Sequence, residues 1–289
     1  MFATFARKRR GRLVCGATNK PPRTFNYKPF TTSHQPRTIS QRPYPMPHKS
    51  IEIRTEDGLC PAHVLHPAGP GPWPGVFMLM DGIGMRPAIV EMGERLANAG
   101  YYVLLPDLFY RIGSVSMDAK KLFSDPETQK EWFAKILPVA SAANMMRDMP
   151  AFLDHLASQP NVKQPKFGTT GYCMGGRIAF VAAGNFPGRI AAAASYHPSG
   201  LATDAPDSPH LLAPKMKARV YIGGAIEDRG FDDAQKGRLD RALTDAGVDH
   251  VIETYQARHG WVPSDTPVHD PVAAERHWET LLDLFGKTL

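Results

Sequence analysis

The sequence predicts a doubly wound α/β fold, in which a mainly parallel sheet carries helices on both faces. Short, continuous apolar runs such as residues 75–80 and 101–105 alternate with helix-length amphipathic patterns. Strands that are buried on both faces of a parallel sheet have this apolar character. A second observation is that polar, chemically reactive side chains follow directly after several of these runs. Because ligands bind at the carboxyl ends of the strands in such sheets, these side chains should share one edge.

The apolar runs and helical patterns follow one another in a regular order. Residues 51–54 and 59–65 are expected to form an antiparallel strand pair around a turn at 56–58. Further strands are predicted at residues 75–80, 101–105, 166–170, 190–195, 218–222 and 251–255. Helices are predicted at residues 87–99, 139–158 (interrupted by Pro150), 177–183, 232–246 and 271–285, the last closed by Gly286. Residues 111–137 are more polar, with weak helical patterns, and are expected to form a lid over a site.

Composition indicates a globular protein with a sizeable core. The chain has 289 residues, of which 43% are hydrophobic and 21% charged, and no apolar run approaches the length of a membrane span. The three cysteines, Cys15, Cys60 and Cys173, form neither a disulfide framework nor a metal-ligand cluster. A reducing compartment is therefore the default, and we expect a cytoplasmic protein without membrane partners.

Residues 1–49 are expected to be a disordered basic extension, followed by a single domain at 50–289. The first 50 residues contain eleven Lys and Arg and no Asp or Glu, and they are rich in proline. Such a segment suits an arm for nucleic acid or a membrane surface, a targeting peptide, or sequence upstream of a true start at Met46. We favour the last. The net charge of +6 belongs to this segment, so a nucleic-acid partner is expected only through it.

The sequence Gly-Tyr-Cys-Met-Gly-Gly at residues 171–176 has the form of a nucleophile elbow. It joins a predicted strand to a predicted helix and has Cys173 at its centre. The sharp turn of an elbow leaves no room for side chains two residues either side of the nucleophile, where Gly171 and Gly175 stand. A cysteine at a helix N-terminus is also favoured as a thiolate. A lone motif of this kind is more often a buried cysteine in a turn, so partner residues decide its meaning.

Partners follow Cys173 in the chain order of an α/β-hydrolase triad, which is nucleophile, acid, histidine. Asp228 follows one predicted strand and is the expected acid, with the adjacent Glu227 as the alternative. His259 follows the next strand and is the expected base. His197 also ends a strand, but it precedes the acid and breaks the order. It is assigned to the substrate pocket instead.

Acyl transfer also needs donors for a developing oxyanion. The backbone N–H of Met174, directly after the nucleophile, should supply one donor. The second should come from the loop after the strand at 75–80, from Gly82 or, as the alternative, Ile83. Asp81, Ile83, His197 and Trp261 are expected to line the substrate pocket beside these groups.

With these residues placed, residues 50–289 resemble the dienelactone hydrolase family of the α/β-hydrolase superfamily. The resemblance rests on four motifs: Gly-Tyr-Cys-Met-Gly-Gly at 171–176, Pro-Asp-Leu at 106–108, a Gly-Gly…Asp stretch at 223–228 and His-Gly at 259–260. A cysteine in place of the usual serine nucleophile is its most telling part. The resemblance implies an α/β-hydrolase fold, a Cys173–Asp228–His259 triad, hydrolysis of lactones or other carboxylic esters, and no metal or organic cofactor.

Two features depart from the family pattern. A glutamate that contacts the resting thiol in well-known members is replaced here by Asp81, which is one methylene shorter. The arginines that bind a substrate carboxylate in the family have no clear counterparts, and Arg86 and Arg111 are candidates because they lie near site loops. Dienelactone itself is therefore not implied as the substrate.

The sequence thus predicts a cysteine-dependent esterase or lactonase that acts on a small-molecule substrate, as a monomer or small homo-oligomer. A thioesterase or peptidase on the same triad is an alternative, because the loops at 111–137 and 199–214 set acyl specificity. A non-catalytic binding protein, with a basic arm that contacts nucleic acid, is an alternative from another class.

Overall fold

The computed structural model describes residues 47–289, with the side chain of Gln164 left out. The first strand begins at His48, two residues before the domain boundary expected from the sequence. Residues 1–46, which include Met46, Cys15 and most of the expected disordered extension, lie outside the described part of the chain.

Within residues 47–289 the strands form one eight-stranded sheet in the order β1-β2-β4-β3-β5-β6-β7-β8. Strands β1 and β2 form an antiparallel hairpin, β2 pairs antiparallel with β4, and all later pairs are parallel. The strands are β1 His48–Thr55, β2 Gly58–Leu65, β3 Trp73–Leu79, β4 Tyr102–Pro106, β5 Val162–Tyr172, β6 Ile190–Tyr196, β7 Arg219–Gly224 and β8 His250–Thr254. This is the α/β-hydrolase fold, as the sequence predicts.

Helices cover both faces of the sheet. In the described part they are α1 Pro87–Asn98, α2 Ala119–Ser124, α3 Pro126–Ile136, α4 Ala142–Ser158, α5 Met174–Asn185, α6 Asp233–Asp245 and α7 Pro271–Thr288. Alternate residues of β3 enter different apolar clusters, because successive side chains of a strand point to opposite faces. Met78 packs in the cluster that contains α1 and α7, whereas Phe77 packs in the cluster that contains α4.

Two helices continue through residues at which the sequence predicts a break or an end. Helix α4 continues through Pro150, and four of its buried side chains (Met149, Phe152, Leu153 and Leu156) lie in one apolar cluster. Burial of such a face outweighs the roughly 3 kcal/mol cost of an interior proline. Helix α7 continues past Gly286 to Thr288. None of the helices described here has both the length and the apolar composition that a membrane span requires.

Candidate active site

Cys173 occupies a strained turn between β5 and α5. Its backbone angles are φ 53° and ψ −114°, and it is partly exposed. A Cβ at Gly171 would lie 2.3 Å from the carbonyl oxygen of Gly175, and a Cβ at Gly175 would lie 2.3 Å from that of Met80. Glycine is therefore the residue that fits both positions. A positive φ at a non-glycine residue is uncommon and is tolerated where the surroundings enforce it, often at functional sites.

His259 and Asp228 lie together above the carboxyl ends of the strands. The Nδ1 of His259 is 2.7 Å from the Oδ2 of Asp228, whose side chain is 7% exposed. The backbone N–H of Gly230 donates to the other carboxylate oxygen at 2.8 Å. Glu227 is exposed and has a φ of 52°. Of the two acids left open by the sequence, Asp228 is therefore the one that contacts the histidine.

Charge coupling links His259 to both neighbours. Burial lowers the pKa of His259, but the negative charge on Cys173 and hydrogen bonds to Asp228 and Cys173 outweigh burial and raise it to about 10. Burial would raise the pKa of Asp228, but the hydrogen bond and charge of His259 hold it below its usual range. These shifts favour a protonated imidazole beside the Asp228 carboxylate.

Asp81 is paired with Arg86 in the loop after β3. The guanidinium Nη1 and Nη2 of Arg86 donate to the two oxygens of Asp81 at 2.7 and 2.9 Å, and both side chains are almost fully buried. Arg86 also donates to Asp265 at 2.6 and 3.1 Å. Two carboxylates thus neutralise Arg86, so it is not a free cation. This rejects Arg86 as the arginine that binds a substrate carboxylate.

Arg111 is likewise held in ion pairs, and it is not among the residues that line the cleft described below. It donates to the buried carboxylate of Asp148 at 2.7 and 2.8 Å and to Asp57 at 2.6 and 2.8 Å. Arg111, the second candidate for an arginine that binds a substrate carboxylate, is therefore also rejected. Proximity to site loops in the sequence suggested Arg111, but its side chain turns towards the turn between β1 and β2 and towards α4.

The peptide between Gly82 and Ile83 is held at both ends. The N–H of Ile83 donates to the Oδ1 of Asp81 at 2.9 Å, and the carbonyl oxygen of Gly82 accepts from the indole Nε1 of Trp132 at 2.7 Å. The N–H of Ile83 is thus already bonded, which favours Gly82 over Ile83 as a free backbone donor. Met174 is the first residue of α5, where a backbone N–H has no partner within the helix.

His197 and Trp261 are both fully buried. The ring of His197 lies 5.0 Å from that of His259 and 4.8 Å from that of Trp261. Burial and the neighbouring His259 charge lower the pKa of His197 well below its usual value, so it is neutral. His197 borders the cleft, whereas Trp261 is not among the lining residues and stacks instead on Tyr255.

A cleft of about 510 Å³ opens over Cys173 and is walled largely by apolar side chains. The segment expected to form a lid, residues 111–137, supplies much of this wall through α2, α3 and the residue that follows α3. The apolar lining residues are Ile83, Leu122, Phe123, Phe133, Leu137 and Met174. The volume and the character are those of a small-molecule site.

Several residues of the site were not found from the sequence. Arg177 lines the cleft and donates to the carbonyl oxygens of Ser199 and Gly200. Its position one helical turn after Cys173 was a usable signal, because residues i and i+4 share a helix face. Ser199 and Thr266 also line the cleft, and they carry no local pattern that would have identified them.

Comparison with known proteins finds related sequences and a related structure. The sequence model of the dienelactone hydrolase family matches residues 60–289. A protein of Methylorubrum extorquens, provisionally named a carboxymethylenebutenolidase, is 29% identical over 242 residues, which cover 81% of this chain and 79% of that protein. A carboxymethylenebutenolidase of Rhodococcus opacus is 24% identical over 251 residues and covers 84% and 92% of the two chains.

A crystal structure from Klebsiella pneumoniae, provisionally described as a dienelactone hydrolase, shares the fold. It superposes with a TM-score of 0.73 at 22% identity, and the match covers 83% of this chain and 98% of that one.

Proposed function

The chain belongs to the dienelactone hydrolase family and is a carboxylic-ester hydrolase, and from this premise we propose that it cleaves small-molecule esters or lactones through Cys173. The observation that carries the proposal is that the strained turn at Cys173 borders the same cleft as His259, which is itself hydrogen-bonded to Asp228. Nucleophile, base and orienting acid then stand in the relation that covalent acyl transfer requires.

Acylation begins when His259 takes the proton of Cys173, which leaves a thiolate beside an imidazolium. The sulfur of Cys173 attacks the ester carbonyl carbon, and the carbonyl oxygen takes up the negative charge. Asp228 keeps the charged ring of His259 in place, because a carboxylate on Nδ1 directs Nε2 towards the sulfur. When the tetrahedral intermediate collapses, the C–O bond breaks and the alcohol oxygen takes its proton from His259. A lactone opens in the same step, and its alcohol stays tethered.

The oxyanion is stabilised by the backbone N–H groups of Met174 and Gly82. Two observations support this pair: Met174 is the first residue of α5, and the alternative donor Ile83 is already bonded to Asp81. The N-terminus of α5 adds a favourable dipole. Loss of one oxyanion donor costs roughly 3 kcal/mol of barrier in a well-studied hydrolase.

Deacylation uses the same groups in the reverse sense. Neutral His259 removes a proton from water as the water attacks the thioester carbonyl. The second tetrahedral intermediate expels the thiolate and releases the acid product, which restores the thiolate–imidazolium pair. No other group is needed for atoms and charges to balance.

The substrate should be largely apolar around the scissile bond. The cleft is walled by aliphatic and aromatic side chains, and Arg86 and Arg111 are neutralised by carboxylates. Arg177 is the arginine among the lining residues described, and it already donates to two backbone carbonyls. This composition favours neutral esters with an apolar acyl or alcohol group.

The test is turnover of p-nitrophenyl acetate and a lactone panel, with intact mass measurement of the protein. Cys173→Ala should abolish turnover and the acyl adduct. Cys60→Ala is the matched control, because Cys60 is fully buried and its thiol lies 3.4 Å from the carbonyl oxygen of Asp107. Turnover by Cys173→Ala at the wild-type rate, or an adduct on another residue, would overturn the proposal.

A further inference from the structure

Arg86 joins two loops that carry different parts of the proposed machinery. Its side chain is 6% exposed and bonds two carboxylates. Asp81 follows β3, whereas Asp265 follows β8 and lies 179 residues from Arg86 in the chain. The planar guanidinium is suited to such double recognition, since it presents several donors in a fixed geometry. Arg86 therefore bridges the loop after a central strand and the loop after the edge strand.

On one side of this bridge lies the expected oxyanion donor. Asp81 bonds Arg86 through both oxygens, and its Oδ1 also accepts the N–H of Ile83. With the Gly82 carbonyl held by Trp132, the backbone around Gly82 has little freedom. The guanidinium also neutralises a carboxylate that would otherwise stand unpaired near a developing oxyanion.

On the other side lies the loop of the base. Asp265 and Thr266 follow His259 by six and seven residues. The hydroxyl of Thr266 donates to the carbonyl oxygen of Gly260 at 2.9 Å, which closes this loop upon itself. The ion pair at Asp265 therefore also restrains Gly260, the residue next to His259.

We propose that Arg86 is a positioning residue that holds the oxyanion donor Gly82 and the base His259 in register across the cleft. The proposal rests on the proposed function, because it assigns Arg86 a part in acylation of Cys173. Its physical basis is that acyl transfer tolerates little displacement: about 1 Å of misplacement can cost 10²-fold in rate.

The test compares two reactions of the same sulfur. Acylation by p-nitrophenyl acetate forms an oxyanion, whereas alkylation by iodoacetamide displaces iodide at a saturated carbon and forms none. Single-turnover acylation should fall about 10- to 100-fold in Arg86→Gln and by a smaller factor in Asp265→Asn. Alkylation needs the Cys173–His259 pair but no oxyanion donor, so its rate should fall by a smaller factor than acylation in both variants, which a general loss of structure would not allow.

Arg111→Gln is the matched control, since Arg111 also bridges two carboxylates, but neither of them lines the cleft, whereas Asp81 does. It should keep its acylation rate. If Arg86→Gln does not fold, Asp265→Asn decides, because Asp265 is partly exposed. Unchanged acylation in Asp265→Asn, or alkylation that falls as far as acylation, would overturn the proposal. Wild-type protein that is not acylated at Cys173 would instead overturn the proposed function.

Discussion

Asp228 contacts His259 through one carboxylate oxygen, at 2.7 Å from Nδ1, while its other oxygen accepts the N–H of Gly230. A carboxylate held at both oxygens cannot rotate freely, so the imidazole it contacts has one preferred orientation. Because Nδ1 is bonded to Asp228, we expect Nε2 to exchange the proton with Cys173. The neighbouring Glu227, which is exposed, is not needed for this arrangement.

Replacement of Asp228 should therefore impair catalysis far more than replacement of Glu227. We expect Asp228→Asn to lower kcat for p-nitrophenyl acetate by about 10²- to 10⁴-fold, since an amide neither fixes the tautomer nor stabilises the imidazolium. Glu227→Gln should retain most of the activity. Steady-state kinetics of the two variants check this, and a larger loss in Glu227→Gln would show that the acid has been misassigned.

The raised pKa of His259 predicts a specific dependence of stability on pH. The folded protein keeps a proton on His259 up to about pH 10, whereas the unfolded chain loses it near the ordinary value of 6.5. The contribution is therefore complete below pH 6.5 and is lost as the pH rises towards 10, with a slope of at most about 1.4 kcal/mol per unit. Urea unfolding across this range should show a shallower decline for His259→Gln. If the free energy of unfolding of wild type and of His259→Gln changed with pH at the same slope, the raised pKa of His259 would be contradicted.

The elbow glycines should be intolerant of a side chain. Gly175→Ala places a Cβ 2.3 Å from the carbonyl oxygen of Met80, so the backbone must shift. We expect a loss of about 2–3 kcal/mol or more in the free energy of unfolding. Gly286→Ala is the control within another helix, where a Cβ meets nothing within 4 Å. It should stabilise the protein by about 0.5–1 kcal/mol, and a similar gain in Gly175→Ala would refute the steric argument.

The apolar cleft should favour bulkier acyl groups, and Leu137 offers a test with little risk to folding. It lines the cleft and is 51% exposed. Leu137→Gln should lower kcat/KM for p-nitrophenyl octanoate by up to about 10-fold, because part of an apolar contact is lost, and should spare p-nitrophenyl acetate. Leu211→Gln, at a similarly exposed leucine that does not line the cleft, is the control. An equal loss with both esters would argue against an acyl contact.

Much of the fold was predictable because the spacing of apolar residues along the sequence indicates which residues are buried. The apolar runs identified the central strands of the sheet, and a turn residue or strand end preceded each reactive side chain. Local rules failed where packing overrides them. Pro150 and Gly286 are unfavourable within an isolated helix, yet both lie inside helices whose apolar faces are buried. The helix propensity of one residue contributes less to the free energy of folding than burial of the whole apolar face of the helix.

By itself, the amino-acid sequence determined the fold class, the family and the order of Cys173, Asp228 and His259 along the chain, because these depend on local patterns of apolar residues and glycines. Only the tertiary structure decided which charges meet. It paired Asp228 rather than Glu227 with the histidine, and it enclosed Arg86 between carboxylates that lie far apart in the sequence. Adjacent residues look equivalent in a sequence, whereas hydrogen bonds depend on distances and angles that exist only after the chain has folded.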